Sequence, residues 1–116
     1  MSKILKNNDR ISVEELKEMS KKMFGNMVKA VVDIEKEIMA FDGELHSDLE
    51  QILIEQENSE PRNCWGFNFY PEKTGADFIE FDSMINLKPA FNNRSRGVED
   101  PKVREKIIEI VKKYAA

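Results

Sequence analysis

The stretch Val28-Lys29-Ala30-Val31-Val32-Asp33-Ile34-Glu35 decides how this chain is read, because its hydrophobic period changes there. Val28, Ala30, Val32 and Ile34 alternate with Lys29, Val31, Asp33 and Glu35, the period of two that marks a strand with one face inward. Upstream the period is helical, with Leu16, Met19, Met23 and Met27 on one stripe. Ser12 and Glu15 have the spacing of a capping box at the start of that helix. Gly25-Asn26 tolerates the left-handed backbone that ends it. A helix therefore runs into a sheet.

Downstream, Glu35-Lys36-Glu37 predicts a tight reversal, and alternation resumes at Ile38. Residues 28–34 and 38–45 are expected to pair antiparallel, since a parallel crossover needs about a dozen residues or more. Met39, Phe41, Leu45 and Leu49 share one parity and favour a long strand with a break near residues 47–50. Two rival readings stand beside it: a hairpin turn at Asp42-Gly43, and a helix from Ser47 to Gln56 with Ser47 and Glu50 as a capping box. Ile52-Leu53-Ile54 reads as a strand entering a loop, with Cys64 to Tyr70 as its hairpin partner. Trp65, Phe67 and Phe69 lie on one face of that partner, with Gly66, Asn68 and Tyr70 on the other. Phe78 to Leu87 predicts the last strand, with Ile79, Phe81, Ile85 and Leu87 inward and Glu80, Asp82 and Asn86 outward. After a loop from Lys88 to Glu99, Asp100 caps a final helix with Pro101 at its first position. Val103, Ile107, Ile110, Val111 and Tyr114 form the apolar face of that helix. The expected fold is α+β, with an N-terminal helix, an antiparallel sheet of about five strands and a C-terminal helix. Residues 1–11 read as an N-terminal extension and residues 12–116 as one domain. Trp65, Phe67, Phe81, Ile85, Ile107 and Val111 are the expected core.

Composition narrows the function classes. Charged residues make up 34% of the 116 and hydrophobic ones 41%, an ordinary globular balance with extra charge. Residues 33–82 carry a net −11, flanked by +3 before and +4 after. An acidic middle argues against a broad nucleic-acid surface, which needs clustered cations. No apolar run approaches the length of a membrane span. The opening Met1-Ser2-Lys3-Ile4-Leu5-Lys6 is unlike a signal peptide, and the single cysteine, Cys64, points to the cytoplasm.

Several runs resemble a small prokaryotic family of uncharacterised proteins, classed as a domain of unknown function. They are residues 28–36, Glu44-Leu45-His46-Ser47-Asp48, Trp65-Gly66-Phe67-Asn68-Phe69-Tyr70-Pro71 and residues 81–89. Asn93-Arg94-Ser95-Arg96-Gly97-Val98-Glu99-Asp100-Pro101 completes the match. The resemblance implies no activity.

Two constellations carry chemistry. Asp42, Glu44, His46, Asp48 and Glu50 are all even-numbered, so a continuous strand would present them on one side, where Glu80 and Asp82 could join them. Carboxylates and an imidazole are ligands that hard or borderline divalent metals accept, which makes His46, Asp48, Glu80 and Asp82 the candidate metal set. The plainer reading is the solvated face of an antiparallel sheet. The second constellation is the loop Asn92-Asn93-Arg94-Ser95-Arg96-Gly97, where two guanidiniums offer forked donors to an anion. The plainer reading there is that Arg94 and Arg96 pair with Asp82 or Glu80 and order the loop. Nucleophilic catalysis has little support: Cys64 begins an apolar strand, and Ser83 has the wrong parity to face His46.

The leading expectation is a binding or regulatory module whose surface combines the polar sheet face with this loop, using Asn68, Asn86, Asn93, Arg94 and Arg96. The alternative is a small metal-dependent hydrolase or related enzyme centred on His46 and the nearby carboxylates. The expected partner is a protein or a small anionic ligand, with nucleic acid and membrane disfavoured. The residues identify no cofactor, assign no catalytic group and leave the oligomeric state open.

Overall fold

The computed structural model describes residues 3–115. Eight regular elements follow one another: β1 (Lys3–Leu5), α1 (Val13–Met23), β2 (Val28–Asp33), β3 (Ile38–Phe41), α2 (His46–Glu57), β4 (Cys64–Phe69), β5 (Ile79–Glu80) and α3 (Pro101–Tyr114). The five strands form one antiparallel sheet in the order β1-β3-β2-β4-β5. The α+β expectation holds, with a helix near each end of the chain and a third between β3 and β4. No helix among the described residues is long and apolar enough to cross a membrane.

Local chemistry sets the elements where the sequence indicates. Ser12 Oγ accepts from the Glu15 backbone N–H and donates to the Glu15 carboxylate, closing the capping box. Asp100 Oδ1 accepts from Lys102 N–H ahead of Pro101. The reversal between β2 and β3 is made by Asp33, whose Oδ1 accepts from the N–H groups of Glu35 and Lys36. Glu37 then takes a left-handed φ of 57°. Tyr114 and Lys106 of α3 bond Glu37, so the last helix clamps the first hairpin.

The sheet is covered on both sides. On one side α1 and α3 pack over Ala30, Val32, Met39, Phe41, Trp65, Phe67 and Phe69. On the other, Leu49 and Leu53 of α2 pack over Val31, Ile38, Ala40 and Cys64. This second layer corrects the expected strand over residues 38–49. Asp42 adopts a left-handed φ of 66°, the chain leaves the sheet after Phe41, and a helix starts at His46. Leu45, Leu49 and Leu53 fit a helical period as well as a parity, and burial of Val31 and Ala40 decides for the helix. Its N-cap is Leu45, without the side-chain hydrogen bond expected of Ser47. The expected strand at Ile52-Leu53-Ile54 is therefore the second half of α2, and β4 pairs with β2 and β5 instead.

Two other expectations change. Lys3–Leu5, read as part of an extension, adds an edge strand to β3. The strand expected over Phe78 to Leu87 pairs only at Ile79–Glu80 and then turns away through a single 3-10 turn at Met84–Asn86. Parity loses its meaning there. Phe81 and Ile85, expected in the core, are half-buried, while Trp65, Phe67, Ile107 and Val111 are buried as expected.

Candidate binding cleft

Where β5 stops, β4 has a free edge, and a side chain closes it. Gly66 N–H donates to Asn86 Oδ1 at 2.8 Å, and Asn86 Nδ2 donates back to Gly66 O at 2.9 Å. The amide of Asn86 thus stands in for the missing strand residue. Its second N–H donates to Arg96 O at 2.9 Å, tying the 92–97 loop to the sheet. Asn93 continues the work: its Nδ2 donates to the carbonyls of Asn86, Ser95 and Gly97, and its Oδ1 accepts from Glu99 N–H. Both asparagines are buried with every amide group engaged.

Gly66 lets this layer close. A Cβ there would meet Ser83 Oγ at 2.5 Å, Ser83 Cβ at 2.6 Å and His46 Cδ2 at 3.2 Å. Ser83 and His46, expected on different sides, therefore both sit over Gly66, because Ser83 comes after the chain has left the sheet. They form no hydrogen-bonded couple. Ser83 Oγ accepts from Ile85 N–H, and His46 Nε2 lies 2.9 Å from Phe67 O.

A carbonyl only accepts, so Nε2 carries the His46 proton. Burial, aided by the charge of Lys29, outweighs the opposing Phe67 carbonyl, Asn68 amide and Asp82 charge, and holds the imidazole below its usual range. Near pH 7 the ring is neutral and its single N–H is committed to Phe67.

Beyond the N-terminus of α2 the sheet face is left uncovered. Lys29 of β2, Asn68 of β4 and Glu80 of β5 are successive cross-strand partners, so they form one row on that face. With Met27, His46, Tyr70, Asp82 and Arg96 they line a cleft of about 240 Å³. Tyr70 Oη donates to Glu80 Oε1 at 3.0 Å, and Asn68 Nδ2 donates to the same oxygen at 2.9 Å. Burial and then the bond to Glu80 push the Tyr70 phenol up, so it stays a donor. Arg96 Nε bonds Asp82 Oδ1 at 2.7 Å. The pairing expected of the loop is present, but both side chains are about half-exposed (56% and 44%), so the ion pair is worth at most about 1 kcal/mol. The asparagines, not the charges, hold the loop.

One group in this cleft is unmet. Asn68 is 4% exposed, and its Oδ1 has no hydrogen-bond partner. The amide cannot simply be reversed, because its nitrogen faces a carboxylate and the Asp82 carbonyl. The Asn68 side chain lies against the His46 ring and favours its charged form, but the neutral ring spends its one N–H on Phe67 O. Among the described residues, three other buried side-chain polar atoms lack partners: Asp33 Oδ2, Ser59 Oγ and Trp65 Nε1. Of the four residues, Asn68 alone lines one of the clefts described here.

Of the residues expected at a site, Asn68, Arg96, His46, Glu80 and Asp82 meet in this cleft, while Arg94 is exposed outside it. Asp48 is exposed on the first turn of α2 and does not line it. Among the described residues, no three His, Cys, Asp or Glu side chains come together as a metal-binding group. Cys64 is buried, and desolvation with the nearby charges of Asp33 and Glu50 pushes its thiol up to about 12, which leaves it inert. Lys29 and Tyr70 were not singled out as site residues, although both share the parity of Asn68 on their strands. A larger apolar groove of about 590 Å³ between Phe78, Phe81 and Ile108 holds no unpartnered buried polar atom.

A family model described as "Protein of unknown function (DUF5674)" matches residues 3–114. The chain belongs to that family. The match takes in every element of the DUF5674 fold, from the edge strand β1 to the end of α3. No curated protein and no solved structure matches this DUF5674 chain.

Proposed function

We propose that this DUF5674 protein is a small-ligand binding module, and that its ligand occupies the cleft between β5, the N-terminus of α2 and the 94–97 loop. The observation that carries this reading is the unmet Asn68 Oδ1. A buried acceptor without a donor costs about 1–3 kcal/mol, and of the four unpartnered buried side-chain atoms among the described residues this one alone belongs to a residue that lines the cleft. The surroundings suit a small polar molecule. Lys29 and Arg96 offer positive charge, and Glu80 and Asp82 negative charge. The 94–97 loop contributes Arg96 to this binding surface as expected, whereas most of the sheet face lies beneath α2. A lone free thiol supports a cytoplasmic setting.

The test is a thermal-shift screen of small polar metabolites, repeated on Asn68→Val. We expect a subset of hits to raise the melting temperature of the native chain and to lose that effect in the variant. Hits that stabilise both proteins equally would place the ligand elsewhere.

A further inference from the structure

The apolar groove of about 590 Å³ shares no residue with the polar cleft and stands independently of it. It lies on the opposite face of β5, between Phe78, Ile79 and Phe81 on one wall and Arg104, Ile108 and Lys112 of α3 on the other. The last three are four residues apart in turn, so they form one stripe along the helix. The groove is open because β5 pairs over only two residues. Phe78, Ile79 and Phe81 pack against the core but stay half-buried, as does Ile108 across from them. Its volume falls in the range of small-molecule pockets, roughly 300–1,000 Å³, and such pockets are mostly apolar with a few fixed polar groups.

The polar groups here carry one sign. Both charged side chains that line the groove are cations, in a chain of net charge −4. Arg104 is held in place: its Nη1 donates to Val98 O, and to Glu99 O at 3.2 Å. Among the described residues its guanidinium meets no carboxylate, whereas Arg62 and Arg96 are each ion-paired. A half-buried guanidinium fixed by carbonyls and lacking a counter-charge has its other N–H groups free for a carboxylate. Lys112 is exposed and also unpaired, and a lysine stem covers apolar surface while its ammonium stays in water. Arg104 and Lys112 are eight residues apart on α3, roughly 12 Å at 1.5 Å per residue.

We infer that this groove binds a free monocarboxylate with a linear aliphatic chain, the chemistry of a medium-chain fatty acid. Its carboxylate pairs with Arg104, and its chain lies along Ile108, against Phe78 and Phe81, towards Lys112. Charge complementarity selects this occupant. A neutral apolar ligand would leave Arg104 without a counter-charge, and a cationic amphiphile would meet two like charges. A sugar-like ligand would find few hydrogen-bond partners on such walls. The span from Arg104 to Lys112 matches a chain of the length of decanoate.

The experiment titrates the full ¹⁵N-labelled chain with decanoate, hexanoate, decanol and decyltrimethylammonium, each below the concentration at which it aggregates. The amides of Phe81, Ile108 and Lys112 report on the groove, and that of Asn68 on the polar cleft. Decanoate is expected to give saturable shifts at the first three and none at Asn68. Hexanoate, with less chain to bury, and decanol, with no charge, should bind about tenfold more weakly or worse, and decyltrimethylammonium not at all. Arg104→Met should bring decanoate down to the level of decanol. Ile108→Trp, which fills the groove from a half-buried position, should abolish the response even if the Arg104 variant fails to fold. Equal binding of decanol or decyltrimethylammonium overturns the assignment, as do undiminished binding to Ile108→Trp and shifts confined to Asn68. The absence of any decanoate response at millimolar concentration overturns it too. Cosedimentation of the chain with phosphatidylglycerol vesicles, without a response to free decanoate, would make the groove a membrane-facing surface and refute the free acid as its ligand.

Discussion

Replacing Asn86 by alanine should destabilise the protein by about 2 kcal/mol or more, because two buried backbone groups lose their partners at about 1–3 kcal/mol each. The groups are Gly66 N–H and Gly66 O; Arg96 O loses one of its two donors and keeps the Ser83 N–H. No water can restore them cheaply, since Asn86 is fully buried and Ser83 fills the space over Gly66. Against the roughly 5–15 kcal/mol that holds a domain folded, this is a large fraction. Urea unfolding with an unchanged m-value measures it. A loss under about 1 kcal/mol would mean that the free edge of β4 does not depend on this amide.

Replacing Leu53 by alanine should cost about 2–5 kcal/mol, the range for emptying a fully buried leucine position. Leu53 packs with Val31, Ile38, Ala40, Leu49 and Cys64 in the layer that α2 builds on the second sheet face. If that face were solvated instead, position 53 would be a surface site and the change would fall within about 0.5 kcal/mol. Thermal or urea unfolding separates the two outcomes by a wide margin.

The layer under α1 and α3 was legible in the sequence because strong local signals agreed with the tertiary structure. Ser12 and Asp100 mark the helix starts, and Val32, Phe67 and Phe69 alternate as inward-facing strand residues should. Asp33 shows where such signals stop: nothing in Glu35-Lys36-Glu37 proves a turn, yet an aspartate two residues earlier makes it. The second layer was hidden by a coincidence of periods. Leu45 and Leu49 are four apart, a spacing that serves a strand face and a helix face alike. Only the burial of Val31 and Ala40 opposite Leu49 and Leu53 distinguishes them, and that is a long-range fact. Residues 81–87 misled for a related reason. Parity assigns Asn86 to an outer face only while the strand continues, and the strand ends at Glu80.

The cleft itself was half legible. Asn68, His46, Glu80, Asp82 and Arg96 were chosen for their chemistry, and the fold brings them together although the continuous strand that was to align His46 with its neighbours does not form. Lys29 shares the Asn68 row because β2 and β4 pair in that register, a relation between residues 39 apart that no local pattern contains. The three asparagines look alike in sequence and differ in structure. Asn86 and Asn93 have every amide group engaged, and Asn68 does not.

That difference gives the most direct measurement of the account. Asn68→Val removes an unmet buried acceptor, a long 3.4 Å hydrogen bond to Asp82 O and one hydrogen bond to Glu80, an exposed carboxylate that keeps Tyr70 and gains water. Urea unfolding of this variant should show stability unchanged within about 1 kcal/mol, or raised, since loss of a bond to a solvated partner is cheap and loss of an orphan is favourable. A loss of about 2 kcal/mol or more would make Asn68 a structural pin like Asn86, and would contradict the binding cleft.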